Sequence, residues 1–203
     1  MKSIQKLSIL LVALFSFNAA IAQSTMKAPV RYKLKNGVTL IVAQNLGSGK
    51  IFSRLTVENQ AQENETLYAQ ILENYMNKRA EKFNELLTAT TSSSKITMNY
   101  NEGNTATNVA NFEDAFNFVS KSFLNQDIAK QAFDEMKDLY AGKQDDLKSV
   151  TMKDLQAYYN KNFKAEDTYI TIAGDITPSQ AREIAAKAFA NSKEANEVIT
   201  TAK

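Results

Sequence analysis

Val30-Arg31-Tyr32-Lys33-Leu34-Lys35-Asn36-Gly37-Val38-Thr39-Leu40-Ile41-Val42-Ala43 is the stretch whose reading decides the fold. Two apolar, β-rich runs flank Asn36-Gly37, and Asn-Gly between such runs is the strongest short hairpin signal, because it tolerates the positive φ of a tight turn. A hairpin means antiparallel pairing. After a loop from Gln44 to Lys50, Ile51-Phe52-Ser53-Arg54-Leu55-Thr56-Val57 alternates apolar and polar residues with period two and reads as a third strand.

From about Asn64 the period changes from two to that of a helix. Leu67, Ile71, Leu72, Tyr75, Met76, Phe83, Leu86 and Leu87 fall on one side of a helical wheel, with Gln70, Glu73, Asn74, Asn77, Lys78 and Glu81 on the other. The spacing predicts a long amphipathic helix ending near Leu87. A second hairpin follows, in which Ile96, Met98 and Tyr100 and then Thr105, Thr107 and Val109 alternate around Asn101-Glu102-Gly103-Asn104. Helical spacing returns over Phe112 to Leu124 and over Asp127 to Ala141, which closes at Gly142. Thr151-Met152-Lys153-Asp154 has the pattern of a capping box opening a helix to about Asn162. Thr168 to Ala173 is a strand stopped by Gly174-Asp175, and Thr177-Pro178-Ser179-Gln180 caps the last helix with proline at its first position. The order βββ-α-ββ-α-α-α-β-α does not alternate strictly. It favours an α+β fold in which a mostly antiparallel sheet carries helices on one face. No glycine-rich phosphate loop follows any strand.

Composition narrows the chemistry. The 203 residues include no histidine, no cysteine and no tryptophan. A Ser-His-Asp triad, a Cys-His pair and a histidine general base are therefore impossible within one chain. Zinc sites are built mainly from cysteine sulfur and histidine nitrogen, so only carboxylates remain, and these suit Mg²⁺ or Ca²⁺ better. The adjacent pairs Asp134-Glu135 and Asp145-Asp146 do not converge on one ion, and there is no D-x-D-x-D-G loop. Residues 1–22 read as a signal peptide. Lys2 and Lys6 precede an apolar run from Leu7 to Phe17, shorter than the roughly 20 residues of a membrane span, and Ala20-Ile21-Ala22 is a small-x-small cleavage site. The expected product is exported to the periplasm or beyond the cell, with no stable membrane anchor. It comprises a single domain over 23–190 and a flexible tail over 191–203. Taking 22 residues from 203 leaves 181, and taking their two lysines from the 24 basic groups leaves 22 against 22 acidic ones. A neutral exported domain is a poor candidate for nucleic acid, where clustered Lys and Arg supply the affinity.

Four stretches, taken in order, resemble the insulinase/pitrilysin family of zinc peptidases, which includes the mitochondrial processing peptidases. Tyr32 to Leu40 is similar to the family's opening "LxNGxxV" strand, and Leu67-Tyr68-Ala69-Gln70-Ile71-Leu72-Glu73-Asn74 lies where the family has its inverted zinc motif, H-x-x-E-H. Thr88-Ala89-Thr90-Thr91-Ser92 is similar to the "NAxTS" edge strand. Val150 to Phe163 and Tyr169 to Asp175 look like the closing "T-x-x-D-L" helix and "GD" strand. The resemblance implies a processing-peptidase-like half-shell that supplies one half of a clamshell around an extended peptide. It implies zinc ligands at the positions of Gln70 and Asn74 and a general base at Glu73, with a third ligand near Asp134 to Asp146 that no residue matches. It also implies peptide pairing along Thr88, Ala89, Thr90 and Thr91 by strand addition.

Amides are weak zinc ligands, so the resemblance with these substitutions implies a degenerate member that binds no zinc. Its expected partners are an extended peptide, an active subunit of the same family, or a second copy in a homodimer. Two other readings stand beside it. The chain contributes to activity only beside a subunit with an intact H-x-x-E-H, or it is an unrelated exported α+β binding module. Gln70, Glu73 and Asn74 also lie on the polar face of an amphipathic helix, and an ordinary solvated face has the same residues. An ordinary polar linker likewise has the composition of Thr88 to Ser92.

Overall fold

The computed structural model describes residues 27–58, 65–88, 94–125, 127–140 and 149–189. The expected signal peptide and its cleavage site, Ala89 to Ser92, Gly142, Asp145-Asp146 and the tail lie outside these. Six strands form one sheet: β1 (Val30–Lys33), β2 (Thr39–Gln44), β3 (Lys50–Val57), β4 (Lys95–Met98), β5 (Glu102–Asn108) and β6 (Thr168–Gly174). Five α-helices accompany them: α1 (Thr66–Thr88), α2 (Phe112–Leu124), α3 (Ile128–Tyr140), α4 (Met152–Asn162) and α5 (Pro178–Phe189). The strands lie in the order β1-β2-β6-β3-β5-β4. Only β2 and β6 run parallel, so the sheet is mostly antiparallel as expected.

The opening hairpin forms with a three-residue turn. Leu34 N–H donates to Val38 O (2.8 Å), and Gly37 takes a φ of +94° that a side chain would disfavour. Asn36 Oδ1 accepts from Val38 N–H (3.2 Å) and pins the turn from inside. The third strand does not extend this hairpin. β6 inserts between β2 and β3, so the last strand in the chain becomes a central one. Hydrophobic alternation gives each strand a buried face but is silent about which strand pairs with which.

Gly174-Asp175 locks that insertion. Gly174 pairs with Gln44 on one side and Ile51 on the other, at a φ of +133°. A Cβ there would stand 2.1 Å from Lys50 O, inside any allowed contact. The Asp175 carboxylate accepts N–H bonds from Gly47 (3.0 Å) and Gly49 (2.9 Å) in the β2–β3 loop, and its own N–H donates to Lys50 O (2.8 Å). The "GD" pair is thus a structural clasp that ties the loop to the end of β6.

One sheet face is buried beneath helices. Leu40, Val42, Ile51, Leu55, Ile96, Ile170 and Ile172 are buried there, each separated along its strand from neighbours on the opposite face. α1, α2 and α5 pack against the sheet, with α3 beside α1 and α4 beside α3. α2 contributes Phe112, Phe116, Val119 and Phe123 at helical spacing, all at the centre of the core. Gly103 on β5 makes room for it, since a Cβ at that position would lie 2.5 Å from Val119 Cγ1 and 2.8 Å from Phe123 Cε2. The small residues Ala181, Ala185 and Ala188 bring α5 close to its neighbours, and Phe189 meets Phe116 edge-on at 6.4 Å between centroids.

Both predicted caps form. Thr151 Oγ1 accepts from Asp154 N–H (3.2 Å) at the start of α4. At the start of α5, Thr177 Oγ1 accepts from Gln180 N–H (3.3 Å) while Gln180 Oε1 accepts from Thr177 N–H (3.1 Å), a reciprocal box that satisfies two orphan donors. The adjacent Tyr158 and Tyr159 are both core. Tyr159 O–H donates to Phe123 O (2.7 Å), and burial pushes its phenol well above the ordinary value. Tyr158 is pushed up to about 12, by burial first and then by the charges of Tyr100 and Glu65.

Candidate functional site

α1 is held at both ends and along one side. Lys161 Nζ on α4 bonds Glu65 Oε1 (2.7 Å) just before its first turn. At its far end Asn84 spans to β4, where its Nδ2 donates to Ile96 O and its Oδ1 accepts from Ile96 N–H, both at 2.7 Å. Leu72 and Met76 are fully buried beneath it. On such a helix Gln70 and Asn74 are one turn apart on one face, with Glu73 beside them. Gln70 and Asn74 are exposed and Glu73 is half-buried, and none of the three has a hydrogen-bond partner among the described residues.

α3 lies alongside α1, and the residues it presents are polar. Tyr75 O–H donates to Gln131 Oε1 (2.7 Å), and Arg79 Nη1 donates to Tyr75 Oη (3.2 Å) with its guanidinium over the Phe118 ring at 4.9 Å. Glu135 is the α3 carboxylate that reaches α1, and there it meets Lys78 Nζ at 2.5 Å, one turn beyond Asn74. Asp134, its neighbour, turns to solvent and pairs with Lys130 (3.1 Å) on its own helix. Sequence reasoning expected a carboxylate helix near this point but had no way to single out Glu135. The signal was its spacing from Gln131, Ala132 and Ile128, which puts Glu135 on the same side of α3 as residues that face neighbouring helices.

This donor set does not fit zinc. A metal over Gln70 and Asn74 would be offered two neutral amide oxygens and Glu73, while Glu135 is already bound by a lysine cation. Structural and catalytic zinc takes thiolate, imidazole and carboxylate donors, and the two amides supply neither charge nor basicity. No group of three or more His, Cys, Asp or Glu side chains able to hold a metal occurs among the described residues.

Of the expected peptide-binding edge, only Thr88 lies among the described residues. Thr88 is the last residue of α1, not a strand residue, because the amphipathic pattern runs on through Leu87 with no glycine or proline to stop it. Ala89, Thr90 and Thr91 lie outside the described residues. Next to α1 the sheet edge is β4, and the outward groups of Ile96 on that edge are the ones bonded by Asn84.

The opposite sheet face carries an open groove of about 490 Å³ around Phe52, bordered by Arg54, Lys95, Asn104 and Thr171. Arg54 is joined to Glu102 in an ion pair, and Asn104 Nδ2 also donates to the Glu102 carboxylate (2.8 Å). Burial alone pushes the Glu102 carboxyl up. The bonds from Asn104 and Arg54 and the Arg54 charge outweigh it and hold the group below its ordinary value. A carboxyl lowered on folding stabilises the fold above its unfolded value, about 4.3, and stops doing so as pH falls through the folded value. Arg54 is more than half exposed, so the contribution is about 0.5 kcal/mol. Urea midpoints should be slightly lower for Glu102→Gln than for the parent at pH 7, and the gap should close as pH falls through the folded value of Glu102.

The geometry has counterparts. Residues 149–201 match the family model described as the peptidase M16 inactive domain. No curated protein matches the chain. Among solved structures, a protease from Helicobacter pylori aligns at a TM-score of 0.59 and 15% identity, over 87% of this chain and 53% of that one. The first half of the periplasmic protease PqqL from Escherichia coli aligns at 0.54 and 14%, over 87% and 49%. Pitrilysin aligns at 0.54 and 14%, over 82% of this chain and 22% of its own length. The chain thus spans about half the length of the Helicobacter pylori protease and of the PqqL first half, and 22% of pitrilysin. The resemblance read from the sequence stands: this is an insulinase/pitrilysin-like fold, matched over its last part to an M16 domain described as inactive. No helix among the described residues is long and apolar enough to cross a membrane.

Proposed function

We propose that this chain is an exported, non-catalytic member of the insulinase-like peptidases, acting as a peptide-binding or partner subunit. The observation that carries this reading is α1. The face that the resemblance assigns to zinc presents Gln70 and Asn74, and the carboxylate that reaches it from α3 is bound by Lys78. Export is supported by the charged, apolar and small-residue sections of the first 22 residues, and one structural neighbour is periplasmic.

Glu73 supports a second reading, in which the chain completes an active site whose histidines come from another subunit. It is the one residue of the expected motif that is retained, and its side chain is half-buried at the edge of the exposed face. Both readings meet one experiment. The mature chain is mixed with an H-x-x-E-H peptidase from the same host and peptide hydrolysis is followed against the peptidase alone. A partner subunit shifts the rate or the KM, and Glu73→Gln leaves that shift intact. If Glu73→Gln removes the shift, the chain supplies a catalytic group and the second reading holds. An unrelated binding module changes nothing.

A further inference from the structure

The sheet has two faces, and the described helices cover one. Across the other, strand register aligns Ala43, Ala173, Phe52 and Ala106 in a single transverse row over β2, β6, β3 and β5. Phe52 is 53% exposed at the centre of this row, over the 490 Å³ groove, with an alanine on each side in register. The charges on this face are one-sided. Arg31, Lys33, Lys50, Arg54 and Lys95 project from its strands; within the described strands the one carboxylate is Glu102, which Arg54 already engages.

We propose that this open sheet face docks an acidic amphipathic helix supplied by a partner chain. Charge selects the sign of the partner: five cations around an apolar row favour a segment whose apolar side is flanked by Glu and Asp. Backbone chemistry selects its form. An extended peptide laid on Phe52 and three alanines would leave its own N–H and C=O groups without partners, whereas a helix satisfies them internally. A helix about 10 Å across matches the usual spacing of a layer on a sheet, and would turn a two-layer fold into a three-layer one. A second copy meeting face to face is disfavoured, because it would set five cations against five. The proposal deepens the reading of the chain as a partner subunit by naming the surface through which it binds.

The test uses the full chain and two labelled synthetic helices with the same Leu/Ala face, one flanked by Glu and the other by Lys. Fluorescence anisotropy should show the acidic helix binding at least about tenfold more tightly, with affinity falling as salt is raised. Phe52→Ser should abolish binding, and Arg31→Glu with Lys95→Glu should reverse the preference. All these side chains are exposed, so the variants should melt with the parent, which is checked alongside. Equal affinity for both helices, no binding up to about 1 mM, or binding indifferent to Phe52→Ser would overturn the proposal. A parent chain that sediments as a dimer and becomes monomeric on Phe52→Ser would assign the face to a second copy instead. Tighter binding of the acidic helix after deletion of residues 190–203 would assign it to the chain's own tail. If Phe52→Ser still shifts the rate in the mixing experiment as the parent does, this surface is wrong and the subunit reading survives.

Discussion

Gly174→Ala is expected to lower the unfolding free energy by about 3 kcal/mol or more, seen as a fall in the urea midpoint at unchanged m-value. Two costs combine. A φ of +133° belongs to a region that residues with a side chain scarcely enter, and the new Cβ would press on Lys50 O at 2.1 Å. That carbonyl cannot step aside cheaply, because it accepts the Asp175 N–H at 2.8 Å and belongs to the strand that pairs with β6. Relief of the clash by moving β6 would disturb the Gln44 pairing on its other side. Asp175→Ala should cost less, about 1–2 kcal/mol, since it removes two exposed bonds to the loop glycines and leaves the strands in place. A Gly174→Ala variant as stable as the parent would mean that β6 is not clamped between β2 and β3.

Phe123→Ala should cost about 3–5 kcal/mol, the range for emptying a fully buried aromatic site. Phe123 is completely buried, faces Gly103 across the sheet and lies 6.4 Å from the Phe163 ring. Its carbonyl also anchors the Tyr159 hydroxyl, so helix α4 is tied to the same point. The opposite error is adding volume at Gly103. Gly103→Ala forces a methyl to within 2.5 Å of Val119 Cγ1, and overpacking of this kind costs about 1–3 kcal/mol. A Val119→Ala background removes the nearer of the two clashes and leaves the one with Phe123 Cε2, so the same change should cost at least about 1 kcal/mol less. Additive costs in that cycle would show that α2 does not rest on β5 as described.

Much of this fold is legible in the residues, for local reasons. Asn36-Gly37 reports a turn because its φ requirement is local, and Thr151 and Thr177 report helix starts because a cap bonds within its own turn. Strand order is not local. Nothing in Thr168 to Ala173 shows that this strand enters between β2 and β3, although Gly174-Asp175, the pair that closes it, is visible as an odd stop. The end of α1 shows another limit. Thr88 opens a polar stretch similar to an edge strand, yet it is the last residue of α1.

The candidate site divides the same way. That Gln70 and Asn74 share a face follows from their spacing of four, and the absence of histidine ligands is read directly from the composition. That Lys78 holds Glu135 depends on how α1 and α3 lie together, which no spacing within either helix encodes. The groove over Phe52 was hidden for a related reason. Period-two alternation marks Phe52 as facing away from Ile51 and Ser53, but its alanine neighbours come from three other strands.

Zinc titration of the purified mature chain decides whether this peptidase-like fold holds a metal centre of its own. Metal content and hydrolysis of a quenched peptide are read on the same sample. The account predicts no stoichiometric zinc and no hydrolysis above the buffer rate, with Glu73→Gln indistinguishable from the parent. One tightly held zinc per chain, with metal-dependent cleavage that Glu73→Gln abolishes, would contradict it.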